Sequence, residues 1–249
     1  MKKDEIIYGF QPVLEAIKSG KEIEKLLLMK TLHPSKLSEL KKEATAFRVP
    51  FQFVPKEKLN KLTRQNHQGI VAIVSPIAYT EITQLVPMLF EQGKIPFFLA
   101  LDKVTDVRNF GSIARSAECA GVDALIIPSK GSAMINSDAV KTSAGALTRL
   151  PVCRVSSLKN TVRYLKDSGI NITGTREQSP RLYHQLDYRI PVAFIMGSEE
   201  SGISEEVLAL CDNLVSIPLV GEIQSLNVAV AAGIVLFEAV RQRQSTGIQ

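Results

Sequence analysis

The sequence predicts an α/β protein built on a parallel sheet. From Pro96 onward, short apolar runs alternate with stretches of helical periodicity. Those runs are continuously apolar rather than alternating, the pattern of strands covered on both faces. The chain has 249 residues, 45% hydrophobic and 22% charged, which is ordinary globular usage and enough to bury a core.

The elements follow in order. Tyr8 to Ile17 carries Val13, Leu14 and Ile17 at helical spacing. Ile23 to Met29 is a short apolar run suited to a strand. Ser35 to Arg48 has helical periodicity through Leu37, Leu40 and Ala44, with Ser35 as a candidate cap. Phe51 to Val54 predicts a strand, Lys56 to Leu62 a short helix and Gly69 to Val74 a strand. Residues 1–75 therefore form a small α/β unit. Pro76 and Pro87 punctuate 76–93, which is expected to be a connection, with Ile82 to Phe90 able to form a helix. Residues 94–249 make the second domain. Its strands are Phe97 to Leu101, Ala124 to Ile127, Val152 to Val155, Asn171 to Gly174, Val192 to Met196 and Leu214 to Ile217. Its helices are Gly111 to Ala120, Ser137 to Leu147, Leu158 to Lys166, Glu205 to Leu210 and Ser225 to Arg243.

Charge separates the two halves. Residues 1–75 hold 14 Lys and Arg against 8 Asp and Glu, and the remainder 16 against 17. A basic half beside a near-neutral half suits a polyanionic partner. The aromatic content of 6%, with no Trp, gives little sign of a base-stacking platform. No apolar run approaches the ~20 residues that span a bilayer. Only a short apolar patch follows Met1 to Glu5, so no signal peptide is expected and the protein is read as soluble and intracellular. Cys119, Cys153 and Cys211, like His33, His67 and His184, are too scattered for metal-ligand spacing, so no metal is expected. Cys119 and Cys211 sit among apolar neighbours and are expected to be buried.

Ligands of parallel sheets bind beyond the carboxyl ends of the strands, and three loops there carry unusual residues. The loop Asp102 to Gly111 opens a helix. Gly111 would allow close backbone approach, and Arg115 could fork onto an anion. The alternative for Arg115 is a surface ion pair with Glu118 or Asp102. In the loop Met196 to Ser204, two glycines bracket Glu199 and Glu200. In the loop Ile217 to Val228, Ser225 is a natural N-cap. Asn227 then falls in the first turn of an apolar helix, where it needs partners. There is no glycine-rich dinucleotide fingerprint and no phosphate-binding P-loop, which disfavours a nucleotide-dependent α/β enzyme.

Together the loops resemble the motifs of the SpoU, or TrmH-like, family of RNA ribose methyltransferases. Asn-x-Gly-x-x-x-Arg matches Asn109 to Arg115, Gly-x-Glu-x-x-Gly matches Gly197 to Gly202, and Ile-Pro-x-x-Gly with Ser-Leu-Asn-Val matches Ile217 to Val228. The similarity runs over roughly residues 96–243. Residues 1–75, including His67-Gln68-Gly69, more loosely resemble the family's small L30-like RNA-binding domain.

The resemblance implies a SPOUT-type fold whose C-terminal part is threaded into a trefoil knot, a rare exception among chains. It implies a homodimer with the active site near the subunit interface. It also implies S-adenosylmethionine held largely by backbone groups, with Gly197, Ile217 and Leu226 at cofactor-contacting positions. Asn109, Arg115, Glu199, Ser225 and Asn227 would be the catalytic set. Arg115 would sit beside the ribose hydroxyl, although a guanidinium is a poor base in water because its pKa exceeds ~12. The combination of an N-terminal L30-like domain and a short tail after the last helix looks most like the enzyme that methylates a guanosine ribose in bacterial large-subunit (23S) ribosomal RNA, acting in the cytoplasm. Transfer RNA is the alternative substrate. A non-catalytic RNA-binding or ribosome-assembly protein is the alternative of a different class.

Overall fold

A computed structural model describes residues 6–244. Met1 to Glu5 and the tail 245–249, both weighed in the sequence, lie outside the described residues. The chain divides into two compact units, with the division after Ala78.

The first unit is a four-stranded mixed sheet with helices. Its elements are β1 (Ile6–Tyr8), α1 (Phe10–Lys18), β2 (Ile23–Met29), α2 (Pro34–Ala46), β3 (Phe51–Val54), α3 (Lys56–Leu62) and β4 (Ile70–Val74). The sheet order is β1-β4-β2-β3. β1 was not expected from the sequence. It pairs antiparallel to β4, and three residues are too few to show a period. α1 has no side-chain cap and is held instead by burying Val13, Leu14, Ala16 and Ile17. Pro34 opens α2, where its fixed φ suits a first helical turn and its missing N–H is no loss. Ser35 bonds His33 rather than capping.

The second unit is an all-parallel sheet of six strands. Its elements are α4 (Ile82–Glu91), β5 (Phe97–Leu101), α5 (Val107–Cys119), β6 (Ala124–Pro128), α6 (Ser137–Thr142), β7 (Val152–Val155), α7 (Leu158–Asp167), β8 (Asn171–Thr175), β9 (Val192–Met196), α8 (Glu205–Leu208), β10 (Asn213–Val215) and α9 (Val228–Gln244). The order β10-β8-β9-β5-β6-β7 reverses direction between β5 and β9. Every residue of those two central strands is buried, as their unbroken apolar sequence predicts.

Four expectations need correction. The segment 76–93 is not a free connection, because α4 buries Ile82, Leu85, Val86 and Leu89 in the core of the second unit. Its Pro87 is tolerated on the exposed side of the helix. The helix expected from Gly111 begins four residues earlier, at Val107, because Asp106 caps it by accepting the N–H groups of Arg108 and Asn109. Gly111 therefore lies inside α5, where a Cβ would come within 2.7 Å of Thr142 Cβ, so the close approach is to α6. The last helix begins at Val228 rather than Ser225. Asn227 takes the cap, its Oδ1 accepting the Ala229 N–H at 3.0 Å. Cys119 is exposed and Cys211 half-buried. Cys119 lies one turn after the exposed Arg115, on the same outward side of α5.

The far end of α9 is anchored by Arg243. Its guanidinium donates to the carbonyls of Tyr188 at 2.9 Å, Ile95 at 3.1 Å and Ile190 at 2.9 Å, and stacks over Phe97. This anchor, with the packing of α9 on α5, fixes where the helix begins and so where Asn227 sits. No described helix is long and apolar enough to cross a membrane.

Candidate active site

The three loops converge at the carboxyl ends of β5 and β9, the point where strand order reverses and ligands of open parallel sheets bind. Glu199 is the hub. Its Oε1 accepts from Asn227 Nδ2 at 2.6 Å, Asn109 Nδ2 at 3.1 Å and the Val228 N–H at 3.1 Å. Asn227 Nδ2 also donates to Asn109 Oδ1 at 3.0 Å. Asn109 and Asn227 are 118 positions apart in sequence, so the cluster is a product of the fold.

Each member is aimed by local structure. Asp106 fixes the first turn of α5 by accepting the Asn109 N–H at 2.8 Å. Glu199 stands on a tight hairpin in which Ser198 and Gly202 exchange backbone hydrogen bonds of 3.2 and 2.9 Å. A Cβ on Gly197 would lie 2.1 Å from the Gly202 carbonyl carbon, so only glycine allows this hairpin to close. Asn227 is held by its own cap bond to Ala229. Two backbone N–H groups at the start of α9 thus face side-chain acceptors, and the positive end of the helix favours the Glu199 carboxylate there.

Beside the cluster lies a cavity of about 490 Å³, within the range of small-molecule sites. Gly197, Ile217 and Leu226 line it, as do Glu199 and Ser225. Ser225 is exposed and, among the described residues, forms no hydrogen bond with the cluster. Met196, Ile203, Val215 and Leu208 supply apolar wall. The charged lining is Glu177, Glu199, Glu200 and Glu205 against Arg176, a balance that favours a cationic ligand. Thr175 to Gln178, at the carboxyl end of β8, were not singled out from the sequence. The strand-end rule applied to β8, as it was to β5 and β9, finds them.

Arg115 stands apart. Six residues after Asn109, it is displaced about 9 Å along α5 and roughly 240° around it. It is exposed and does not line the cavity. Among the described residues it pairs with neither Glu118 nor Asp102. The Asp102 carboxylate is instead committed to the Ser204 N–H at 2.7 Å. Among the described residues no group of three or more His, Cys, Asp or Glu could hold a metal ion.

In the first unit, His67 is 6% exposed. Its Nδ1 accepts the Gly69 N–H at 2.9 Å, and its Nε2 lies 2.9 Å from Asn60 Oδ1. The network assigns the neutral tautomer with the proton on Nε2. Burial, with the neighbouring Lys56 charge, lowers the His67 pKa. His67 thus ties α3 to the turn before β4, where Gln68 and Gly69 both adopt positive φ.

Comparison with known proteins agrees with both units. The sequence profile of the SpoU rRNA Methylase family matches residues 96–237, and that of "RNA 2'-O ribose methyltransferase substrate binding" matches residues 6–80. A Staphylococcus saprophyticus protein assigned to the TrmH family of tRNA/rRNA methyltransferases is 37% identical over 242 residues, 97% of each chain. The SpoU methyltransferase AviRb of Streptomyces viridochromogenes, solved with AdoMet, superposes with a TM-score of 0.61 at 28% identity, covering 96% of this chain and 90% of that one. An AdoMet-bound rRNA methyltransferase of Sinorhizobium meliloti gives 0.61 at 26% identity, covering 95% and 86%.

Proposed function

The chain belongs to the SpoU rRNA methylase family and is an S-adenosylmethionine-dependent RNA methyltransferase; on that premise, we propose that it methylates the ribose 2′-hydroxyl of a guanosine in large-subunit (23S) ribosomal RNA, in the cytoplasm. The observation that carries this reading is the Asn109–Glu199–Asn227 cluster at the edge of the cavity lined by Gly197, Ile217 and Leu226. The substrate-binding profile over residues 6–80 supports ribose 2′-O chemistry, and the resemblance of the whole chain to rRNA methyltransferases supports the target. Transfer RNA is the second reading, because the name of the Staphylococcus relative covers both RNAs.

The cavity fits the cofactor by the chemistry of its lining. Ile217, Leu226 and Met196 offer an apolar wall to the adenine, Gly197 leaves backbone accessible, and the excess of carboxylates suits a sulfonium and an ammonium. When bound, S-adenosylmethionine supplies a methyl group already activated by positive sulfur. The protein's task is then alignment and proton removal. Glu199, held by two amides and a backbone N–H, is fixed as an acceptor and holds Asn109 and Asn227 together beside the cavity that it lines. Asn109 and Asn227 would position the ribose, with Ser225 binding at the cavity rim. Arg115 would orient the hydroxyl or, after passing one of its own protons to a substrate phosphate, take the hydroxyl proton as the O–H bond breaks.

That role for Arg115 requires a second copy of the chain, since its own cluster lies on another side of α5. We propose a homodimer that covers the exposed flank of α5 and α9, where Val230 is 53% and Phe237 49% exposed. The C-terminal trefoil threading belongs to the same proposal. Ribose-methylation mapping of RNA from cells lacking the protein tests the substrate. We expect a single guanosine in large-subunit RNA to lose its methyl group. A loss confined to transfer RNA would establish the second reading, and no loss in either RNA would overturn both.

A further inference from the structure

The loop that carries Glu199 begins at Met196 and ends at Ser204, and both of its ends are bonded to one residue. The backbone N–H of Asp102 donates to the Met196 carbonyl at 2.8 Å. The Asp102 carboxylate Oδ2 accepts the Ser204 N–H at 2.7 Å. Asp102 is 6% exposed, so this charged acceptor sits where water competes little. It follows the last residue of β5, and Lys103 behind it takes the left-handed conformation, φ +58°, turning the chain out of the sheet toward Asp106 and α5. Asp102 therefore stands at the junction of the loop that presents Asn109 and the loop that presents Glu199. A hairpin closed by the Ser198–Gly202 backbone pair and the Ser198 hydroxyl bonds to Ser201 could still pivot at its Ser204 stem, since the Met196 stem ends β9. With both stems held to the end of β5, Glu199 meets Asn109 and Asn227 at a fixed distance.

We propose that Asp102 is a positioning residue for methyl transfer, acting through Glu199 and not on the substrate. This rests on the reading of the Asn109–Glu199–Asn227 cluster as the methyl-transfer site. A residue that acts only by placing Glu199 has a specific signature. Its loss matters while Glu199 is present and ceases to matter once Glu199 is disabled.

The test is a double-mutant cycle on the full-length protein, with kcat and the cofactor Kd measured separately. Asp102→Ala leaves the Ser204 N–H without its charged acceptor, and we expect kcat to fall roughly 10- to 100-fold. Asp102→Asn keeps an acceptor oxygen and should recover most of that loss. In a Glu199→Gln background, Asp102→Ala should change kcat by no more than about threefold. Side-chain amide resonances of Asn109 and Asn227 supply a readout independent of turnover. The short bond to Glu199 should shift the Asn227 amide protons downfield in the wild type, and Asp102→Ala should return them toward ordinary values. Full additivity of the two substitutions, or unchanged Asn227 resonances in folded Asp102→Ala protein, would overturn the proposal. Wild-type protein that shows the shifted resonances yet transfers no methyl group would instead sink the reading of the site and leave the loop clamp standing.

Discussion

Asn227 Nδ2 lies 2.6 Å from Glu199 Oε1, the shortest of the bonds that join the motifs. Removing the amide leaves a carboxylate short of a donor, and a hydrogen bond to a charged group contributes about 1.5–3 kcal/mol. We expect Asn227→Ala to lower single-turnover methyl transfer by roughly 10- to 100-fold, the range that energy implies. Glu199→Gln should fall in the same range, because one oxygen would still accept but its charge would be gone. His67 gives a prediction about pH. Its folded pKa is depressed below the unfolded value of 6.5, so the unfolded chain takes up the proton first. The stability His67 contributes is therefore present above pH 6.5 and is lost as pH falls from there toward the folded pKa. Chemical denaturation between pH 7.5 and 5, read on the first unit, should show this fall, and His67→Gln should flatten it. At this scale Asn109, Glu199 and Asn227 could be read from the motifs. Asp102 could not, because an aspartate bonded to a backbone N–H 102 positions away leaves no pattern in its own neighbourhood.

Among elements, the second unit depends on close approaches that glycine allows. A Cβ on Gly111 would sit 2.7 Å from Thr142 Cβ and 3.2 Å from the Ala139 carbonyl, forcing α5 and α6 apart. Overpacking of this kind costs about 1–3 kcal/mol. Gly111→Ala should lower the melting temperature while leaving cofactor affinity nearly unchanged, since Gly111 does not line the cavity. Gly197→Ala should do the reverse. Its Cβ meets the backbone of Gly202 at 2.1 Å, so the hairpin must open, and calorimetry with S-adenosylmethionine should show binding lost in protein that still unfolds cooperatively. Strand positions in this unit were legible because buried parallel strands are unbroken apolar runs. The starts of α6, α7 and α8 at Ser137, Leu158 and Glu205 were legible too, whereas those of α5 and α9 were not, because Asp106 and Asn227 outcompeted the expected positions as caps. Arg115 lies outside the cluster because it is roughly 240° around α5 from Asn109.

The whole molecule joins a basic first half, with 14 Lys and Arg against 8 Asp and Glu, to a near-neutral second half that carries the cluster. If the first half grips RNA, its lysines displace counterions from phosphates and affinity falls steeply with salt. Filter binding between 50 and 200 mM salt should show a log–log slope of several, and charge-reversing substitutions at Lys56, Lys61 and Arg64, all exposed, should reduce it. Composition marked that asymmetry without locating any site. The α/β class of both units was legible from periodicity, whereas the separation of Arg115 from the Glu199 cluster was not, because the motif spacing does not say which sides of α5 its residues take. Ribose methyl transfer at this site is tested by incubating purified protein with isotopically labelled S-adenosylmethionine and unmodified large-subunit ribosomal RNA, then resolving the digested nucleosides by mass spectrometry. We expect label on the ribose of a single guanosine, and its loss with Asn227→Ala. Label on a base, or undiminished ribose label in the Asn227→Ala protein, would contradict it.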